Sequence, residues 1–361
     1  MENEKRFRVG FISNNAIGKT GLGRNIKALL PILYKKNKWD IYMLNQGMAD
    51  NDINYQRFPW KNEGAMKNFD QQRFHADQNY QRFVAYGGTA VADFVVKNQL
   101  DAVFALDDPW AFPAETYFKT DWYQHIKQNF FPIITIDSEP VLPLVKEWAE
   151  NSPNLHFWAS FGERILKEEN YEKYKHVKTM YPAFNIENFK PLLEYERQEL
   201  RKQNGISKDE KIIIYVFRNQ LRKLAWAELE ALAKFKKQNP NKKTKLLFHT
   251  SFSEGAGWPL DQIRQELGLN REDLLTTYFC VNCGNWEVKP FDGEFKDCKF
   301  CGAKGCPPTQ SNPRGNGQKT AGIDSTIDEE NLNKIYNLAD GACSCPTSGG
   351  SELFSQESML A

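Results

Sequence analysis

The sequence predicts an α/β protein of two Rossmann-like domains, the second carrying an inserted four-cysteine ribbon. Three observations predict this: two successive series of short β-branched or aromatic runs separated by helical stretches, a charged connection between the series, and two C-x-x-C pairs within the second. Alternation of strands with helices implies parallel βαβ units with crossover helices. At 361 residues the chain has the length of two domains, each able to bury a core of its own.

The first series comprises RVGFIS (8–13), DIYMLN (40–45), AVFALD (102–107), PIITID (132–137) and LHFWAS (155–160). The second comprises KIIIYVF (211–217), KLLFHT (245–250), TTYFC (276–280) and GACSCP (341–346). Between them, residues 185–210 are strongly charged, with Pro191 near their start and Gly205 near the end of a helical stretch. The expected domains are therefore 1–190 and 191–361, with the ribbon at 278–306. Residues 48–82 are polar and aromatic without clear periodicity and read as a long loop or lid.

Lys and Arg number 47 against 46 Asp and Glu, a net charge of +1, so no global field favours nucleic acid or an anionic membrane. No apolar run approaches the roughly 18 residues that would span a bilayer, and the start lacks a signal-like apolar stretch. Seven cysteines, four of them in C-x-x-C pairs, suit thiolate metal ligation in a reducing compartment, and the expected location is the cytoplasm.

The sharpest chemical signal is Cys280-Val-Asn-Cys283 with Cys298-Lys-Phe-Cys301, each pair followed by a glycine, Gly284 or Gly302. Two such knuckles make a tetrahedral thiolate site for zinc, and a closed four-cysteine shell is structural, so no catalytic metal is expected. Removing the metal is expected to unfold the ribbon and spare the flanking core. Cys343 and Cys345 read as core residues alternating along an apolar strand.

The first strand runs into a glycine turn with Gly18, Gly21 and Gly23 before the helix NIKALLPILYKK, which brings backbone N–H groups toward a ligand or simply makes a tight βα turn. The strand IIIYVF leads into Arg218, Arg222 and Lys223, cations at the carboxyl end of a parallel strand where anions bind; Arg222 reads as the solvated one. The last strand leads into Ser348, Gly349, Gly350, Ser351 and Glu352, then Glu357 in a helix. The small residues leave backbone donors available, and the carboxylates suit sugar or ribose hydroxyls or a helix N-terminus. Of the five histidines only His249, ending a strand, is a candidate, with a core position as the alternative.

Together these segments resemble the family-four retaining glycosyltransferases of GT-B fold, in the expected order over nearly the whole chain. TGLGRNIKALL resembles the family's opening glycine loop, WASFGERILKE and MYPAFNIENFKPL the end of its first domain, FRNQLRK its R-x4-K clamp, and LNKIYNLAD with SGGSELFSQESMLA its donor-site end. The resemblance implies two domains facing a cleft and transfer of a hexose from a nucleoside diphosphate sugar to an acceptor hydroxyl, with retention and without a protein nucleophile. It implies that Arg218 and Lys223 hold the diphosphate and that Glu357 binds the ribose, with Gly21, Gly23, Ser348, Gly349 and Gly350 also on the donor.

The usual motif has a glutamate where this chain has Gly349, and Glu352 is the nearest replacement for a hexose contact. The family often has a histidine after the fourth strand where this chain has Asp137-Ser138-Glu139-Pro140, which makes Asp137 and Glu139 acceptor candidates. Asp137 and Glu352 are thus the expected catalytic contacts. The family usually continues beyond the helix holding Glu357, so the second domain reads as truncated. Two alternatives stay open: a degenerate glycosyltransferase fold that binds nucleic acid or protein through its ribbon, and an enzyme that glycosylates modified DNA bases. For the latter, Phe291, Phe295, Phe300, Lys289, Lys296, Lys299 and Lys304 would form the nucleic-acid surface, though such residues also build the core and skin of any small ribbon.

Overall fold

The structure is a computed structural model that describes residues 6–18, 20–136, 138–252, 255–321, 327–347, 349 and 353–361. The chain divides into two compact units that change over after Phe184, with the short stretch Gly349–Ser351 grouped with the first.

The first unit is built on a seven-stranded parallel sheet: β1 (Phe7–Asn14), β2 (Trp39–Ala49), β3 (Lys61–Met66), β4 (Ala102–Asp107), β5 (Phe130–Ile134), β6 (His156–Phe157) and β7 (Lys178–Thr179). The strand order is β3-β2-β1-β4-β5-β6-β7, and every pairing is parallel. From β1 the chain winds one way to β2 and β3, then crosses to β4 and winds the other way. The switch point of the sheet therefore lies between the carboxyl ends of β1 and β4, where open α/β sheets bind ligands.

Central strands of such a sheet are covered on both faces, and FRVGFISN shows it: Val9 to Ser13 are buried without alternation. One face packs against the first helix, Gly21–Lys35, whose buried Gly23, Ile26 and Leu30 recur at helical spacing. The other face holds a larger cluster in which Trp148, fully buried, lies among Phe112, Tyr117, Phe118, Tyr123 and Phe130. Its indole N–H reaches the Phe112 carbonyl at 3.1 Å, so the ring contributes burial without leaving a polar atom unpaired.

The segment 48–82 is not a loop. It contains the edge strand β3 and the short helices Gln71–Ala76 and Gln78–Ala85, capped by the side chains of Asp70 and Asp77. Helices this short carry too few turns for an apolar period to show in sequence; their aspartate caps are the legible signal.

The second unit has a sheet of β8 (Lys211–Val216), β9 (Thr244–His249), β10 (Leu274–Cys280), β11 (Trp286–Pro290), β12 (Phe295–Lys296), β13 (Gln318–Thr320) and β14 (Gly341–Ala342). The order is β12-β13-β10-β9-β8-β14, with β11 also paired to β10. Strands β8, β9, β10 and β14 are mutually parallel, and the ribbon strands β11 and β13 add antiparallel to β10. Here the switch point lies between β8 and β14.

The ribbon is therefore part of the sheet and not an appendage. Strand β10 begins in the core beside β9 and ends in the first metal-ligand candidate, Cys280, while Val288 of β11 is buried in the same core. The insertion also runs further than its cysteines, reaching Thr320 through β13. The last strand is shorter than the run GACSCP suggests: β14 stops at Ala342, Cys343 is exposed and Cys345 half-buried. The Cys343 N–H still donates to the Ile214 carbonyl at 3.1 Å, after which the chain leaves the sheet.

Beneath this sheet, Arg201 is almost completely buried and donates to the carbonyls of Leu338 and Glu210 at 2.6 Å each, with Asp340 at 3.2 Å. Asp340 also meets Arg197 and accepts from the Ile212 N–H. This network fixes the helix Glu194–Gln203 to the entry of β8 and the exit toward β14. No described helix is long and apolar enough to cross a membrane.

Candidate functional site

At the second switch point, β8 continues through Phe217 into Arg218, which is exposed, and Asn219, which is completely buried. Asn219 accepts from the Trp258 N–H at 2.9 Å and donates to the Trp258 carbonyl at 3.0 Å, clamping the loop after β9 to the end of β8. The approach is so close that a Cβ on Gly257 would sit 2.5 Å from the Asn219 carbonyl oxygen. The Trp258 indole donates to the Leu221 carbonyl at 3.0 Å, securing the turn that follows.

That turn carries Arg222, exposed, and Lys223, whose side chain is buried. It closes on Leu224, held in the left-handed region at φ 45° before the helix Ala225–Gln238 begins. The Tyr215 hydroxyl donates to the Lys223 carbonyl at 3.3 Å. From the other side of the switch point, the Thr347 N–H donates to the Arg222 carbonyl at 2.8 Å and the Cys345 thiol lies 3.7 Å from the Leu224 carbonyl. The segment after β14 is thus zipped onto the turn bearing both cations.

Glu357 lies in the helix Leu353–Leu360, is buried, and accepts from the Tyr336 hydroxyl at 2.9 Å. Phe354 of the same helix packs on Tyr215 and Tyr336. The ring of Tyr215 therefore links the helix holding Glu357 to the turn holding Lys223. Gly349 is half-buried. Ser348, Gly350 and Glu352, like Asp137 in the first unit, lie outside the described residues. His249 is buried, its Nδ1 3.1 Å from the Thr277 hydroxyl.

In the first unit, Thr20 caps the first helix by accepting from the Gly23 N–H at 3.1 Å, and Gly21 opens that helix. Gly23 has no room for a side chain: a Cβ would lie 2.6 Å from the Asn15 carbonyl oxygen. The Thr20 hydroxyl donates to Asn14 Oδ1 at 2.9 Å, and Asn14 Nδ2 donates to Gln46 Oε1 at 3.0 Å and to Asp107 Oδ2 at 3.1 Å. A polar chain thus joins the glycine turn to the carboxyl ends of β1, β2 and β4. Burial pushes the Asp107 carboxyl up to about 7, against the lowering effect of the Asp108 N–H that donates to it. Glu139 is exposed.

Sequence reasoning passed over Asp107 and Asn219. Asp107 closes the run AVFALD, and a carboxylate ending a buried parallel strand was a readable signal. For Asn219 there was none, since its partner, the Trp258 backbone, is 39 residues away.

The four cysteines of the paired knuckles come together. Cys280 and Cys301 sulfurs are 3.7 Å apart, Cys283 and Cys298 sulfurs 3.8 Å, and all four lie within 4.8 Å of one another. A tetrahedron with metal–sulfur bonds of about 2.3 Å has edges of about 3.8 Å, so the arrangement fits a four-thiolate structural metal. The two knuckles are built alike: Gly284 and Gly302 adopt φ of 74° and 73°, and their N–H groups return to the carbonyls of Cys280 and Cys298 at 2.9 and 2.8 Å.

The ribbon's lysines are engaged with its own carboxylates: Lys289 and Lys299 with Glu287, Lys296 with Asp292, and Lys304 with Asp297. Phe291 stacks on Phe252 at 4.2 Å between centroids. Phe300, Lys299 and Lys304 nonetheless stay exposed.

No known family profile matches the sequence, and none of the curated proteins matches it. Solved structures do match in fold. A sucrose-phosphate synthase of Thermosynechococcus elongatus aligns over 98% of this chain and 79% of its own, at 14% identity and a TM-score of 0.59. A glycosyltransferase of Rickettsia africae aligns over 95% and 74%, at 12% identity and 0.56. An E. coli trehalose-6-phosphate structure bound with UDP-2-fluoro glucose aligns over 98% and 81%, at 13% identity and 0.54. The α/β architecture, one unit on a parallel sheet and the other on a mixed sheet, is the GT-B fold of these structures.

Proposed function

We propose that this protein is a glycosyltransferase that moves a hexose from a nucleoside diphosphate sugar to an acceptor hydroxyl, with retention of configuration, and that the four thiolates hold a structural zinc. The observation that carries the reading is the junction at the second switch point, where Arg218 and Lys223 flank a turn held to Cys345 and Thr347 of the segment after β14. Two cations at the carboxyl edge of a parallel sheet suit a diphosphate. The neighbour bound with UDP-2-fluoro glucose supports a nucleotide sugar as the donor.

In this reading Arg218 and Lys223 hold the diphosphate, Glu357 takes the ribose hydroxyls, and Ser348, Gly349, Gly350, Gly21 and Gly23 supply close backbone. Glu352 takes the hexose hydroxyls and Asp137 the acceptor. The acceptor oxygen bonds to the anomeric carbon as the carbon–oxygen bond to phosphate breaks on the same face. The acceptor proton leaves on the departing diphosphate oxygen, so orientation and charge stabilisation do the catalysis.

Arg218→Ala and Lys223→Ala are each expected to weaken nucleoside diphosphate binding by about 1.5–3 kcal/mol, roughly ten- to a hundredfold. Calorimetric titration with UDP, ADP and GDP, beside release of diphosphate from a panel of nucleotide sugars, checks this. Unchanged affinity and turnover in both variants would remove the clamp from the reading.

A further inference from the structure

The helix Ala225–Gln238 presents a buried stripe of Ala225, Glu228, Leu229 and Leu232 to the core. One member is a carboxylic acid. Glu228 is only 4% exposed, and its Oε2 has no hydrogen-bond partner among the described residues. Its Oε1 lies 3.9 Å from the Cys345 sulfur, and that sulfur is 3.7 Å from the Leu224 carbonyl. A carboxyl in an apolar stripe is costly unless it is fully hydrogen-bonded, and here one oxygen is not.

What depends on it is the segment after β14. That segment is held at three points: the Cys343 N–H donates to the Ile214 carbonyl at 3.1 Å, the Cys345 thiol touches Glu228 and Leu224, and the Thr347 N–H donates to the Arg222 carbonyl. The middle point alone involves an ionisable pair. We propose that Glu228 is a positioning residue whose buried carboxyl, through the Cys345 thiol, latches the 343–347 segment onto the turn bearing Arg222 and Lys223, and that this latch loosens as the pH rises. The role in ligand binding rests on the diphosphate reading given above.

The titratable groups facing Glu228 are the thiols of Cys345 and Cys343, both themselves pushed upward by burial first and by Glu228 second. Burial carries the Glu228 carboxyl up to about 8, outweighing the hydrogen bond from Cys345. An opened segment would hydrate the carboxyl and return it to the ordinary value of about 4.3. Between those two values the latched state keeps a proton that the open state has released. Each pH unit in that window therefore favours opening by about tenfold, and the dependence levels off above about 8.

Amide exchange at Cys343 and Thr347, corrected for intrinsic rates, tests this in the whole protein from about pH 5 to about pH 8. Protection should fall by about tenfold per unit in the wild type and stay level in Glu228→Gln, which keeps the shape and cannot ionise. Protection that falls equally in both, or in neither, would overturn the latch. Affinity for UDP, ADP or GDP at about pH 6 gives the second reading: Cys345→Ala should bind about fivefold more weakly, and Cys345→Ser, which keeps a donor, should recover most of the loss. Equal affinity in Cys345→Ala and wild type would overturn the link to binding. Should none of the three nucleotides bind the wild type, the diphosphate reading fails and the exchange contrast still decides the latch.

Discussion

Stripping the metal is expected to unfold the whole second sheet while the first unit keeps its transition. Thiolate zinc sites contribute apparent free energies of about 10–16 kcal/mol in small peptides, as much as the entire stability of a typical domain, about 5–15 kcal/mol. The structure gives that energy a direct route into the core. Cys280 is the last residue of β10, and β10 pairs with β9, β11 and β13. Without the metal, four thiols within 4.8 Å of one another lose the ligand that draws them together, and the strands they end are expected to loosen. Elemental analysis should find about one zinc per chain. Calorimetry before and after chelation should show one of two transitions lost. Less than about a tenth of an equivalent of zinc in protein made with zinc supplied, or a thermogram indifferent to chelation, would defeat the expectation.

The Asp107 carboxyl is expected to make stability fall as pH rises from about 4 to about 7. The sign follows from its raised value: the native state keeps the proton up to about 7, whereas the unfolded chain gives it up near 3.9. Over that window the unfolded state binds fewer protons, so raising the pH favours unfolding by a total of about 4 kcal/mol from this group. In Asp107→Asn that slope disappears. Its rearranged hydrogen bonds with Asn14 and the Asp108 N–H add a constant offset, but the difference between variant and wild type should still change by about 4 kcal/mol across the window. Denaturant titrations at several pH values measure it. A constant difference would place the Asp107 titration near its ordinary value.

Much of the fold was legible because parallel strands buried on both faces write themselves as apolar runs, as KIIIYVF and AVFALD do. The paired knuckles were legible because a tetrahedral four-thiolate metal site fixes their spacing. The short helices and edge strand within 48–82 were not, since none is long enough to display a period. Nor was the way the ribbon joins the sheet. Antiparallel pairing of β11 and β13 with β10 depends on registers, Thr277 with Val288 and Phe279 with Lys319, that no local pattern records. The cation pair was visible as residues at a strand end; its junction with the segment after β14 joins carbonyls and amides separated by over a hundred residues.

The order in which strands are laid down differs between the two units, and this bears on how each acquires its shape. All seven strands of the first sheet lie between Phe7 and Thr179, so that sheet can close while later residues are still being made. The second sheet cannot. Its edge strand Gly341–Ala342 pairs with Ile213 and Ile214, across nearly the whole length of that unit. Closing so long a span comes late and slowly, and until it happens one side of β8 offers unpaired amides and carbonyls to any neighbouring strand. The second half of the chain is accordingly where refolding should be slowest and where aggregation should begin.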